Sequence, residues 1–190
     1  MVFLHNPEQA ARHRPQIHAR VREAFAVLEE FADAGRIAGY GIATWSGFEA
    51  DAFTVPDLLA LARQAAGGDT HHLIAVQQPV SLAMDRPIRQ ALDGRGPLVQ
   101  AHAAGLTTFA SSPLHGGELI GLVAPELVEF IRPGLSSAAA CLLAAASTPS
   151  LDVVLLSASS SARWTEAAAS LALPLDARRL TEVTDVCAAG

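Results

Sequence analysis

Five short polar segments, each directly after an apolar run, carry side chains that could do chemistry. They are His5-Asn6-Pro7, Thr44-Trp45-Ser46-Gly47, Gln77-Gln78-Pro79, 111–117 and 157–161. A histidine in such a place can serve as a general acid or base, or can donate a hydrogen bond to a substrate. The alternative is a pocket histidine whose ring is satisfied by a neighbouring group.

The serine-rich segment 157–161 leads into a predicted helix that begins near Ala162 and Arg163. The first N–H groups of a helix have no partner inside the helix, and the helix dipole favours negative charge there. Arg163 would add a fork-shaped donor suited to phosphate. We therefore expect an anion site that includes Ser159 and Arg163, with a solvated first-turn arginine as the alternative.

The apolar runs before these segments predict five strands, and helical sequence follows each of them. The predicted strands are 2–5, 37–43, 73–77, 106–110 and 151–156. The clearest predicted helix spans 15–34, where apolar residues recur every three or four positions and Gly35 follows as a terminating residue. The preceding stretch 8–18 is polar and is expected to be a solvated loop with a first helical turn.

Strands that alternate with helices predict an α/β fold with a parallel sheet and outer helices. Polar groups at the carboxyl ends of such strands line the ligand site. Five strands fall short of the eight that close a (β/α) barrel. We therefore expect residues 1–190 to form a single domain with a parallel sheet and outer helices.

The composition excludes several functions. The net charge is −6, which argues against nucleic acid and membrane surfaces as partners. All 13 basic residues are arginine, so no lysine in this sequence can form a Schiff base or activate a tyrosine. Cys141 and Cys187 lie far apart and indicate neither a disulfide framework nor a zinc site, so we expect a cytoplasmic protein without a bound metal.

Five motifs in one order resemble the aldo-keto reductase family. They are Leu-His-Asn-Pro at 4–7, Gly-Ile-Ala-Thr at 41–44, Val-Gln-Gln-Pro at 76–79, Ser-Ser-Pro-Leu-His-Gly-Gly at 111–117 and Ser-Ala-Ser-Ser-Ser-Ala-Arg at 157–163. The chain is similar to the part of that family that runs from its fourth barrel strand to its eighth. The resemblance implies that residues 1–190 form an incomplete (β/α) barrel of the TIM type, with NADP as cofactor and a small molecule as ligand.

The resemblance also implies roles for individual residues. His5 matches the histidine of the family's catalytic Tyr, Asp, Lys and His. Gln77 and Thr44 are placed to contact the nicotinamide amide, whereas Ser111 stands where the family often has an aromatic residue. The loop that straps over the pyrophosphate would include Ser112, Leu114 and Gly116. Arg163 and Glu166 would meet the adenosine end, with Arg163 against the 2′-phosphate, and Ser159 would also bind the cofactor.

The family's other catalytic residues lie on its first three strands, which this sequence does not match. Without a lysine, residues 1–190 cannot complete the catalytic set, and we expect no carbonyl reduction by the chain alone. The incomplete barrel would have open edges at its first and last strands and an uncovered inner face. Apolar side chains expected on these strands are Leu4, Ile42, Val76, Phe109 and Leu155.

Three functions remain open. The first is a reductase-like subunit whose open edges are covered by a second copy of the chain or by a complementing partner. The second is a repurposed cyclase, lyase or isomerase that uses the pocket around His5. The third is a protein that binds a ligand without catalysis.

Overall fold

A computed structural model describes residues 1–189. Its strands form one parallel sheet in the order β1-β2-β3-β4-β5, so the prediction of an α/β fold with five parallel strands is confirmed. The strands are β1 Val2–His5, β2 Tyr40–Ala43, β3 Leu73–Pro79, β4 Thr107–Ser111 and β5 Val153–Val154.

Helices follow each strand, and a 3-10 helix at Pro7–Ala10 comes directly after β1. The α-helices are α1 Arg14–Asp33, α2 Val55–Ala66, α3 Arg86–Leu92, α4 Pro97–Ala103, α5 Leu119–Leu122, α6 Pro125–Ile131, α7 Ser137–Ala146, α8 Ser161–Ser170 and α9 Ala177–Ala189. None of the helices within 1–189 combines the length and the apolar composition that a membrane crossing requires.

The last strand is shorter than predicted, because only Val153 and Val154 pair with β4. Leu155 still donates its N–H to the Ala110 oxygen at 2.9 Å. Leu155 and Leu156 then line a cavity, so the end of the apolar run contributes to the cavity wall and not to the sheet.

The described residues divide into two compact units, and the expectation of a single domain over 1–190 stays a prediction. Unit 1 comprises 1–78 and 100–108, and unit 2 comprises 79–99 and 109–190. The core of unit 1 joins helices α1 and α2 to strands β1–β3. Phe25 of α1 and Tyr40 of β2 meet there with ring centroids 4.9 Å apart.

The two faces of the sheet in unit 1 differ in the size of their side chains. Ile42 and Val76 are completely buried in the core beneath the helices, and Leu4 packs against the same core. The other face is closely packed at β2: a Cβ added at Gly41 would lie 2.6 Å from the Phe3 ring and 2.9 Å from the Ala75 Cβ. The expectation that Leu4, Ile42 and Val76 belong to an uncovered inner face is therefore wrong, because the register turns them toward the helices.

The core of unit 2 surrounds α7, whose Ala- and Leu-rich sequence is buried on nearly every side. Helices α3, α6 and α9 contribute Ile88, Val128 and Leu180 to the same core. Ala110 of β4 and Val154 of β5 pack there as well, and Phe109 alternates with Ala110 along β4 and is half-buried. Leu155, 40% exposed, is the one of the five expected inner-face residues that stays largely open to solvent.

Candidate functional site

The carboxyl end of the sheet in unit 1 carries the predicted histidine. His5 is the last residue of β1, pairs with Ala43 of β2, and has an exposed side chain. Ala43 in turn pairs with Gln77 of β3, which is half-buried. Because paired residues in a parallel sheet share a face, His5 and Gln77 project from the same side as Phe3 and Ala75, away from the helical core.

Thr44 follows β2 and has a different environment from His5 and Gln77. Its side chain is buried, and its Oγ1 accepts the N–H of Gly47 at 2.8 Å. The turn is tight enough that a Cβ at Gly47 would lie 2.4 Å from Phe53 Cζ and 2.6 Å from Thr44 Oγ1. Thr44 thus stabilises the loop, and its predicted contact with a nicotinamide amide stays a prediction.

Glu8 is a site residue that sequence reasoning missed. It lies in the 3-10 helix after β1 and is only 9% exposed, so the expectation of a solvated stretch 8–18 is wrong for this residue. Its Oε1 accepts the N–H groups of Trp45 at 2.9 Å and Ser46 at 3.1 Å. No local pattern could have revealed this contact, because the donors lie 37 and 38 residues away.

Unit 2 contains a cavity of about 910 Å³ that several predicted residues line. The predicted cofactor residues in its wall are Ser112, Leu114, Gly116, Arg163 and Glu166. An apolar part of the wall comes from Ala138, Ala139 and Leu142 of α7 together with Leu155 and Leu156. The cavity therefore combines a charged rim with an apolar wall, as small-molecule sites do.

The loop after β4 forms one side of this cavity and is built from tight turns. The His115 N–H donates to the Ser112 oxygen at 2.9 Å, and the Gly117 N–H donates to the Leu114 oxygen at 2.9 Å. Ser112 and His115 have φ values of 51° and 49°, in the left-handed region that non-glycine residues rarely adopt. Such backbone strain concentrates at ligand clamps and other functional sites.

The start of α8 forms the other side of the cavity. Ser160 Oγ accepts the N–H of Arg163 at 3.4 Å, and Arg163 Nη1 donates to Ser159 Oγ at 3.1 Å. Ser159 does not line the cavity, but it holds the guanidinium that does. Glu166 lies one turn farther along α8, and within 1–189 neither it nor Arg163 forms an ion pair.

Metal ligation has no support in the described part of the chain. No group of three or more histidine, cysteine, aspartate or glutamate side chains within 1–189 is arranged to hold a metal ion. Cys141 and Cys187 are both free, and burial raises the pKa of the Cys141 thiol to about 11. A thiol with such a pKa is a poor nucleophile near neutral pH.

No protein-family model matches the chain, and no curated protein matches its sequence. Solved structures do match it. An aldo-keto reductase from Klebsiella pneumoniae in complex with NADPH is 18% identical, with a TM-score of 0.63. An aldo/keto reductase from Klebsiella pneumoniae with NADP and acetate is 19% identical, with a TM-score of 0.63. A thermostable aldo-keto reductase with the inhibitor epalrestat is 16% identical, with a TM-score of 0.61.

Each of these matches covers 87% of this chain and 54% of the matched chain. The chain therefore spans about half the length of the structures it resembles. At these identities the similarity establishes the fold, and it agrees with the five-stranded parallel sheet described above. The chain has the fold of part of an aldo-keto reductase barrel.

Proposed function

We propose that the cavity of unit 2 binds the adenosine 2′-phosphate end of NADP(H), and that the chain is part of an oxidoreductase barrel of the aldo-keto reductase type. The observation that carries the proposal is the convergence of Arg163 and the loop 112–117 on one cavity. The solved structures with NADPH and NADP lend support, because proteins of the same fold bind this cofactor.

The chemistry of the cavity suits a phosphate. Arg163 presents a guanidinium that can bind two phosphate oxygens at once. The N-terminus of α8 adds backbone N–H groups and a favourable dipole beside it. Since Arg163 forms no ion pair within 1–189, its charge is free to meet an anion.

The remaining cavity residues have separate parts in this proposal. The apolar wall from α7 accepts the adenine ring, and the Glu166 carboxylate accepts hydrogen bonds from adenine or ribose. Leu114 and Gly116 lie across the pyrophosphate, where the missing Cβ of Gly116 allows a close approach, and Ser112 donates its hydroxyl. Ser159 positions Arg163.

In unit 1 we propose His5 as a general acid or hydrogen-bond donor to a small carbonyl substrate. Gln77, on the same face of the sheet, is proposed to bind the nicotinamide amide. Thr44 is proposed to shape the loop beside them through its bond to Gly47.

Carbonyl reduction by this route needs a lysine and an accessible tyrosine from outside these 190 residues. The sequence has no lysine. The sole tyrosine, Tyr40, is completely buried. We propose that the exposed edge of β1 pairs with a second copy of the chain, or with a complementing partner chain, in the cytoplasm. Edge strands have unpaired N–H and C=O groups that favour such pairing.

Calorimetric titration of the full chain with NADPH tests the cofactor proposal. We expect saturable binding that adenosine 2′,5′-bisphosphate competes away, because this fragment contains only the part that the cavity would hold. Adenosine 5′-monophosphate, which lacks the 2′-phosphate, is the control and should compete weakly. Absence of saturable NADPH binding, or equal competition by both fragments, would contradict the proposal.

A further inference from the structure

The cavity of unit 2 has more apolar wall than the cofactor proposal uses. That proposal assigns the wall from α7 to the adenine ring, and it gives no part to Ile120 of α5 or to Leu155 and Leu156 after β5. The cavity volume of about 910 Å³ lies near the upper end of the range of about 300–1,000 Å³ for small-molecule sites. The cavity therefore has room for a ligand with an extended apolar portion.

Two of these unassigned side chains are open to solvent. Ile120 and Leu155 are each 40% exposed, and both line the same cavity. Apolar side chains that are scattered singly over a surface need no explanation, whereas apolar side chains gathered in one place are typical of ligand-binding grooves. An alkyl chain that covers Ile120, Leu155 and Leu156 would remove apolar surface from water on both sides of the contact. This part of the cavity thus favours an aliphatic ligand.

The positive charge of the cavity comes from one residue of α8. Among the described residues that line the cavity only Arg163 and Glu166 are charged. The Arg163 guanidinium is held by the Ser159 hydroxyl at 3.1 Å, and it forms no ion pair within 1–189. A guanidinium binds a carboxylate through two parallel hydrogen bonds, and the N-terminus of α8 also favours a negative charge.

We propose that the unit 2 cavity binds a medium-chain monocarboxylate, with its carboxylate on Arg163 and its alkyl chain along Ile120, Leu155 and Leu156. The ligand has a charge at one end only, because a second charged group would lie against apolar side chains and lose its hydration. The site shares Arg163 with the NADP proposal, so the two ligands exclude each other. Binding of the carboxylate itself does not depend on the cofactor proposal.

Calorimetric titration of the full chain with three eight-carbon probes tests the proposal. Octanoate has both the charge and the chain, 1-octanol lacks the charge, and suberate carries a second carboxylate at the far end of the same chain. We expect saturable binding of octanoate at about one site per chain, and at least about tenfold weaker binding of each of the other two probes. No saturable binding of octanoate, or equal affinities for octanoate and either other probe, would overturn the proposal.

Variants of two arginines test the position of the carboxylate. Arg163→Ala should weaken the binding of octanoate at least about tenfold and leave the binding of 1-octanol unchanged, because only octanoate has a charge for the guanidinium to bind. Arg178→Ala, a surface arginine of α9, is the control and should change neither affinity. Unchanged octanoate binding by Arg163→Ala, or equal weakening of both probes, would overturn the position of the carboxylate.

Variants of exposed apolar residues test the position of the alkyl chain. Ile120→Asn and Leu155→Asn each place a polar amide against the chain, and each should weaken the binding of octanoate at least about threefold. Both positions are already open to solvent, so we expect both variants to fold. Leu122→Asn is the matched control, because Leu122 is 77% exposed on the same short helix as Ile120 and does not line the cavity. Unchanged affinity in both cavity variants, or equal weakening in Leu122→Asn, would overturn the position of the chain.

Parallel titrations separate this proposal from the NADP proposal. Octanoate binding without NADPH binding would contradict only the cofactor proposal, and NADPH binding without octanoate binding would contradict only this one. If both bind, octanoate should raise the dissociation constant of NADPH as it saturates the cavity, since both ligands need Arg163. Independent binding of the two ligands would overturn their shared use of Arg163.

Discussion

The hydroxyl of Tyr40 donates a hydrogen bond of 2.6 Å to Glu29 Oε1, in the buried core of unit 1. The same oxygen accepts the His72 N–H at 2.9 Å, and Glu29 Oε2 lies 2.6 Å from His72 Nδ1. This group joins α1 to the starts of β2 and β3, at the end of the sheet away from His5. Burial and the bond to Glu29 raise the pKa of Tyr40, which keeps the phenol protonated.

We predict that Glu29 stabilises the fold at neutral pH and loses this effect in acid. Burial alone would raise the pKa of Glu29, but the hydrogen bonds from Tyr40 and His72 outweigh it and hold the pKa below its ordinary value. A carboxyl with a lowered pKa in the folded state stabilises above its unfolded pKa, and the effect disappears as the pH falls through the folded pKa.

Urea unfolding of wild type and Glu29→Gln between pH 7 and pH 3 measures this effect. At pH 7 the variant should have a free energy of unfolding lower by about 1–3 kcal/mol, because it replaces a charged acceptor of buried donors. The difference should shrink below pH 4.5, whereas Glu23→Gln, at an exposed position of α1, should match wild type throughout. A difference that does not vary with pH would contradict this account.

We predict that Gly47→Ala destabilises the protein, because its Cβ would lie 2.4 Å from Phe53 Cζ in a buried turn. Overpacking of this kind lowers the free energy of unfolding by about 1–3 kcal/mol. Gly68→Ala is the matched control: a Cβ there meets nothing within 4 Å, and its stability should change by less than about 1 kcal/mol. Thermal unfolding of both variants would show the difference, and equal stabilities would rule out the tight turn.

Much of the fold could be predicted from the sequence because the apolar periodicity of its helices and strands is strong. The helix predicted over 15–34 is observed at Arg14–Asp33, and the predicted terminating residue Gly35 has a φ of 67°. The strand predicted over 151–156 is too long, because an apolar run does not distinguish residues in the sheet from residues that line a cavity.

Contacts between distant segments could not be predicted. His71 and His72 are both half-buried, and His72 bonds to Glu29, which lies 43 residues away in the sequence. Glu8 likewise binds N–H groups that no spacing rule connects to it. The loop 112–117 and Arg163 come from motifs that can be recognised in order along the chain, and residues of both line the unit 2 cavity. Their contacts with a cofactor stay a prediction.

We predict that a protein of these 190 residues does not reduce carbonyls with NADPH. The sequence has no lysine, and the pKa of its only tyrosine is raised by burial and by Glu29, the opposite of what a catalytic proton donor needs. The absorbance of NADPH, followed in the presence of a panel of aldehydes, measures this activity, and we expect no turnover. Steady turnover that His5→Ala abolishes would show that the chain alone is catalytic.

We predict that the chain self-associates through the edge of β1. Light scattering should give a mass near twice 19.8 kDa at micromolar concentration. Val2→Lys should shift the protein toward monomer, because a charge on an edge strand opposes pairing. Val27→Lys, at an exposed position of α1, should not have this effect. A monomeric wild type that binds no hydrophobic dye would argue against a need for any partner.

The central claim is that Arg163 binds the 2′-phosphate of NADP(H) in the unit 2 cavity, and calorimetry with NADPH and NADH tests it most directly. Arg163→Ala should weaken the binding of NADPH at least about tenfold, because a charge-assisted hydrogen bond contributes about 1.5–3 kcal/mol. The affinity for NADH, which lacks the 2′-phosphate, should stay at the wild-type value. Arg178→Ala, a surface arginine of α9, is the control and should change neither affinity. Equal weakening of NADPH and NADH by Arg163→Ala would contradict the claim.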